Sequence, residues 1–165
     1  MKEALNIKSI DGKLTTDEKK IRRFVMNSII DDQQVFNIQQ EKENLCNTVG
    51  VSTEKYDDII ERLIEKNVIA VDDGNINFIY PVSGFPTNHK VTLADGRSFS
   101  AMCGIDAMGA AYVFKSSVTV DSCCAACGEP IKIEVTDGAL EHYSPHEAQV
   151  LHVDLDKHDN WSGNC

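Results

Sequence analysis

Apolar residues in the first part of the chain recur at helical spacing. Over residues 18–30, Ile21, Phe24, Val25, Ser28 and Ile29 share one face, and Thr16-Asp17 stands ahead of them as a cap, which predicts a helix. A second, shorter helical stretch covers residues 41–49 and stops at Gly50. Ser52 or Thr53 then caps a third that runs to about residue 67, with Tyr56, Ile59, Ile60, Leu63 and Ile64 as its apolar stripe. After that the period falls to two. Residues 68–72 and 76–80 alternate as strands on either side of Asp73-Gly74-Asn75, a hairpin turn.

Residues 81–88, with Gly84 and Pro86, have the composition of a linker, and beyond them the pattern becomes one of strands punctuated by cysteines. Residues 89–93 and 97–99 flank the turn Ala94-Asp95-Gly96, and residues 101–108 read as a short buried helix. Strands follow at 116–121 and 131–136, joined by a turn that holds Cys123, Cys124 and Cys127, and a last strand is expected at about 149–155. The fold class is therefore α+β. Residues 1–85 form a winged-helix-like three-helix domain, and residues 86–165 a small, mostly antiparallel β domain with a short helix.

Charge changes what the first domain is expected to do. Three helices and a hairpin are the order of a DNA-reading winged helix, yet the chain carries 26 acidic against 16 basic residues, a net charge of -10. The third helix, which would enter the groove, sets Glu54, Asp57, Asp58, Glu61 and Glu65 against Lys55, Arg62 and Lys66. Such a surface repels phosphates, so nucleic acid is not expected as a partner. No apolar run approaches the ~20 residues that cross a bilayer, and the N-terminus lacks a signal-peptide apolar core, so neither a membrane nor export is expected. A cytoplasmic location follows as the default. There the six cysteines, at positions 46, 103, 123, 124, 127 and 165, are thiols, metal ligands or redox groups rather than disulfides. Cys46 sits in the second helical stretch as ordinary core. His142, His146, His152 and His158 read as a solvated acidic surface.

Two groups of cysteines carry candidate chemistry. Cys103 and Asp106 are three residues apart, which in a helical turn places a thiol and a carboxylate side by side. A carboxylate so placed can take the thiol's proton and return it later. Spacing alone leaves open a buried structural pair, because cysteine is among the most buried residue types. Cys124 and Cys127, with Gly128 behind them, make a knuckle that supplies half of a zinc site. Completing four ligands would recruit Cys123, Cys103 or Cys165; otherwise the knuckle is a packed turn or a soft-metal or redox site.

Residues 99–135 resemble the catalytic core of the organomercurial (alkylmercury) lyases. The resemblance rests on Ser100-Ala-Met-Cys-Gly-Ile-Asp106, on the strand Ser117-Val-Thr-Val120, and on Cys124-Ala-Ala126 followed by Gly128 and Pro130. It implies protonolysis of a carbon-mercury bond, releasing a hydrocarbon and thiolate-bound Hg(II). Cys103 would be the first thiolate on mercury, Asp106 the proton shuttle, and Cys165 the second thiol, with Ile105 and Met108 providing an apolar setting for the carboxylate. The substrate would be a small organometallic. No cofactor is implied beyond cellular thiols that accept the metal, or a downstream metal reductase or transporter. The family also begins with a winged-helix-like domain that does not bind DNA. Cys127 departs from the family's usual pattern. The family's C-terminal segment is missing after Cys165, which predicts a reading frame that continues, through an artificial end, a frameshift or a UGA codon read as selenocysteine. The alternative function is a non-catalytic protein that binds or senses soft metals through its cysteines.

Overall fold

The computed structural model describes residues 10–150. Cys165, His152, His158 and most of the strand expected at 149–155 lie outside them, and within them Gln149 and Val150 are not in a strand. Thr15 opens the first helix, α1 (Thr16–Asp32), by a reciprocal capping box. The Glu18 amide donates to Thr15 Oγ1 at 3.3 Å and the Thr15 amide to Glu18 Oε2 at 2.7 Å. A two-residue strand, β1 (Phe36–Asn37), separates α1 from α2 (Lys42–Val49), and α3 (Thr53–Glu65) follows. Gly50 closes α2 at φ 70°, where its amide reaches the Cys46 carbonyl at 3.0 Å. Tyr56, Ile59, Ile60 and Leu63 bury the expected face of α3. Ile64, at the edge of that stripe, is instead 42% exposed.

The strands form one antiparallel nine-stranded sheet, built from β1, β2 (Ile69–Asp72), β3 (Asn75–Ile79), β4 (Val82–Ser83), β5 (His89–Leu93), β6 (Ser98–Ala101), β7 (Val118–Cys123), β8 (Pro130–Thr136) and β9 (Ala139–Ser144). Their spatial order is β1-β3-β4-β6-β5-β7-β8-β9, with β2 on the other edge of β3. Asp73 and Gly74, at φ 46° and 72°, are the two left-handed residues of the turn between β2 and β3. Asp137 and Gly138 repeat that chemistry, at φ 51° and 78°, between β8 and β9.

Two of these strands overturn expectations. β4 lies in the stretch whose composition indicated a linker: Val82 pairs with Ile79 and Ala101, and Ser83 with Phe78 and Ser100. Both residues are buried, so β4 joins the strands of the first half to those of the second. β9 has no buried residue and hence no alternation to announce it.

The fourth helix, α4 (Gly104–Phe114), begins later and runs further than the 101–108 expected, because Ala101 is still paired in β6. It packs on β5, β6, β7 and β8. The residues it buries beyond Asp106 are Ala107, Ala110 and Ala111, so its contact face is built of methyl groups and the helix lies close to the sheet. Val91, Phe99, Val118, Val120 and Val135 form the floor, continuous with the core around Ile21, Leu45, Tyr56 and Leu63.

Charge is arranged as tightly as apolar surface. Glu18 is 0% exposed; it meets Arg62 Nε at 3.1 Å and Lys66 Nζ at 2.7 Å, tying α1 to the end of α3. Burial alone would raise its carboxyl, but Lys66, the Thr15 amide and Arg62 outweigh it and hold the group at about 2. Because the folded value lies below the ordinary 4.5, the stabilisation is complete above that pH and is lost as pH falls towards 2. Replacing Glu18 by Gln breaks the pairing, and since both cations keep access to water the cost should be about 1–3 kcal/mol. Thermal melts of the two proteins should differ at pH 7 and converge between pH 4.5 and 2; a constant difference across that range would show that the charge is not responsible.

Candidate active site

β6 delivers the chain into Cys103, which is the N-cap of α4 rather than a residue within it. Its backbone is extended (φ -141°, ψ 174°), and its carbonyl accepts the first helical bond, from the Ala107 amide at 3.0 Å. The Cys103 side chain makes no capping bond to the helix amides, so its half-buried sulfur is not spent on closing the helix. Asp106 is the third residue of α4 and is 7% exposed. N-cap and N3 side chains are the neighbours that meet in a capping box. Thiol and carboxylate thus stand at the N-cap and N3 positions, at the start of the helix rather than within it. There the macrodipole favours negative charge, whether on sulfur or on oxygen. Ile105, beside it in the sequence, is 37% exposed.

Tyr80, just past the end of β3, belongs to the same neighbourhood. Its hydroxyl abuts Gly109, one turn along α4 from Asp106, so closely that a Cβ at Gly109 would collide with it. Burial first, then the charge of Asp106 and more weakly that of Cys103, push the phenol above its ordinary value against the pull of Arg22. Tyr80 is thus a neutral phenol at physiological pH. Arg22, 4% exposed on α1, holds it from behind: Nη2 donates to the Tyr80 carbonyl at 2.6 Å, and the guanidinium lies 5.8 Å from the centre of the ring. Arg22 Nη1 pairs with Asp11 at 2.6 Å. Burial pulls this guanidinium below its ordinary value, and Asp11 opposes that. Nothing in the sequence around Tyr80 marks it, because its role depends on a helix that begins 24 residues later.

The sheet register collects further groups at the same end. His89 in β5 stands opposite Ala101 of β6 on one side and Ser122 of β7 on the other. Its Nδ1 and Ser122 Oγ are 2.7 Å apart, and burial lowers the imidazole from its ordinary value. Directly after Ser122 come Cys123 and Cys124. The turn that follows is tied by the Gly128 amide to the Cys124 carbonyl and the Cys124 amide to the Glu129 carbonyl, both at 2.8 Å, with Gly128 at φ 74°. The amides of Cys127 and Ala126, and the Cys127 thiol, hydrogen-bond the Cys124 sulfur and pull its thiol below the ordinary value.

Among the described residues no three histidine, cysteine or acidic side chains are grouped to hold a metal, so the four ligands of a structural zinc site are not assembled there. Cys46 is buried core, as its helix implied, and His142 and His146 are exposed. No disulfide joins the described cysteines to one another. No described helix is long and apolar enough to cross a membrane.

Comparison with known proteins gives a family match and matches among solved structures. A family model for alkylmercury lyase matches residues 82–165, the stretch that includes β4, β6, α4 and the cysteine turn. Among solved structures, the crystal structure of the mercury-bound form of MerB2 is similar, with a TM-score of 0.63 and 27% identity. That likeness covers 83% of this chain and 64% of the other, so the chain spans a little under two thirds of the relative's length. No curated protein sequence matches. With just over half of its residues accounted for by the family model, the chain belongs to the alkylmercury lyase family.

Proposed function

We propose that this protein cleaves the carbon-mercury bond of a small organomercurial by protonolysis. The observation that carries the proposal is the placement of Cys103 and Asp106 as N-cap and N3 of α4, inside the segment matched by the family model. A sulfur at the positive end of a helix is suited to act as thiolate, and thiolates are soft ligands for a soft metal. Cys103 would exchange onto mercury, displacing the thiol that delivers the substrate. Cys165, whose position rests on sequence order alone, would supply the second sulfur. As that second mercury-sulfur bond forms, its thiol proton passes to Asp106 and from there to carbon. The carbon-mercury bond breaks with its electron pair on carbon, the hydrocarbon leaves, and mercury stays Hg(II), so no oxidant or reductant is needed.

Tyr80 acts in this scheme as a positioning residue. A neutral phenol held against α4 beside Asp106 restricts where the carboxylate can swing, and Arg22 fixes the phenol's backbone from the opposite side. A reducing cytoplasm would keep the thiols available, and cellular thiols, a metal reductase or a transporter would then collect Hg(II). We further propose that residues 1–85 support this site in a winged-helix-like arrangement and do not read DNA. Arg62 of α3 and Lys66 at its C-cap are committed to Glu18, and Lys42 to Asp57 at 2.8 Å, which leaves Lys55 as the one basic residue of α3 outside these pairs.

The purified chain, incubated with a simple organomercurial and excess thiol, should release hydrocarbon measurable by gas chromatography. Cys103→Ala and Asp106→Ala should each lower that rate by at least about 100-fold, the range for losing a positioned nucleophile or general acid-base. Asp106→Ala should still retain mercury; full activity in this variant would remove the proton-shuttle role, and retained metal without hydrocarbon from the unmodified protein would make it a binder.

Tyr80→Phe deletes the hydroxyl that abuts Gly109 and should slow turnover about tenfold, a change of about 1.4 kcal/mol in the barrier. Gly109→Ala displaces that hydroxyl and should have a similar effect, with the double variant no slower than either single one. Additive losses in the double variant would place the two residues in separate roles.

A further inference from the structure

We propose that Cys124 and Cys127 form a second soft-metal site, a two-thiolate clamp for a linearly coordinated d10 cation, which receives Hg(II) from the Cys103 end of the sheet. The clamp stands on the turn's own geometry; the transfer rests in addition on the lyase reading above.

The turn is built around Cys124, whose carbonyl accepts from the Gly128 amide four residues on, as in a helix, so that residues 124 and 127, three apart, share a face. Two carbonyl-amide bonds and the left-handed Gly128 hold the loop in this shape. Cys127 is exposed and Cys124 half-buried, so a ligand can reach both. Two thiols on one face of a single short turn can close on one metal ion. Two sulfur donors suit a soft d10 ion that is satisfied by two ligands.

Placement connects this clamp with Cys103. Ala101 and Ser122 both pair with His89, so they lie two strand spacings apart, roughly 10 Å. Cys103 is two residues beyond Ala101, and Cys124 two residues beyond Ser122, and both segments leave the sheet at the same end. Transfer is a thiolate exchange. Each new mercury-sulfur bond forms as an old one breaks, the incoming thiol's proton passes to the departing sulfur, and mercury remains Hg(II) throughout.

Retention of inorganic Hg(II) tests the clamp. In a Cys103→Ala background, with excess monothiol as competitor and gel filtration before metal analysis, the chain should keep about one Hg(II). Adding Cys127→Ser or Cys124→Ser should reduce that at least tenfold, with circular dichroism unchanged. Equal retention after Cys127→Ser, or none in the Cys103→Ala protein, overturns the clamp. Transfer is tested with intact Cys103, an organomercurial and no added thiol. The unmodified protein should release about two hydrocarbons per chain before stalling, and the Cys127→Ser protein about one. Equal yields overturn the transfer. No hydrocarbon from either sinks the lyase reading and the transfer with it, while the clamp is judged on Hg(II) retention alone.

Discussion

The close seat of α4 on the sheet is the constraint on which the rest depends. Ala107, Ala110 and Ala111 present methyl groups to the valines beneath, and a larger residue at any of them would lift the helix. Phe99 of β6 packs against Phe114 at the far end of α4, ring centroids 5.5 Å apart, so the helix is pinned at both ends of its path. Met102 and Cys103 are the whole link between that strand and that helix. The Cys103 sulfur is placed by two rigid elements and not by a loop, which is what a reaction between one sulfur, one carboxylate and one carbon requires.

A second restraint comes from the other half of the molecule. β4 links β3 to β6, and Arg22 reaches from α1 to the carbonyl and ring of Tyr80. The buried cluster of Glu18 with Arg62 and Lys66 fixes α1 in turn against α3. A chain of contacts therefore runs from the three-helix region to the hydroxyl that touches Gly109. In that cluster the buried member is the acid, while Arg62 and Lys66 keep access to water; among the described residues Arg22 is the one basic side chain that is itself buried.

Much of this was legible in the sequence wherever a local signal fixed a local structure. The capped, periodic stretches gave α1, α2 and α3 within one or two residues at most ends, and Asp73-Gly74 announced its hairpin because only left-handed residues close a two-residue turn. Asp137-Gly138 carried the same signal, but β9 is exposed throughout and offered no apolar alternation to accompany it. β4 was hidden for the opposite reason: two buried residues between Pro81 and Gly84 are too few to show a period, and only their partners make them a strand. α4 is apolar on nearly every side, so periodicity could not set its limits. At the site, Cys103 and Asp106 were visible because they are close in sequence. Tyr80, Arg22 and His89 were not, because a long-range register or a helix crossing places each of them.

That same register explains why the thiols gather. In an antiparallel sheet, a strand that ends and a strand that begins can meet at one edge, so β5 starts where β6 and β7 stop. Cys103 and the cysteine turn are about 20 residues apart in sequence yet leave the sheet side by side, separated by His89 alone in the row of paired positions. A thiol that must hold a soft metal tightly enough to weaken its bond to carbon also retains the product tightly. Release then depends on a competing sulfur nearby, since thiolate exchange proceeds by attack of an incoming sulfur and not by dissociation into water. Under the proposed reaction, a strand that leads into Cys103 beside a second cysteine-bearing turn would have that competitor within the same molecule.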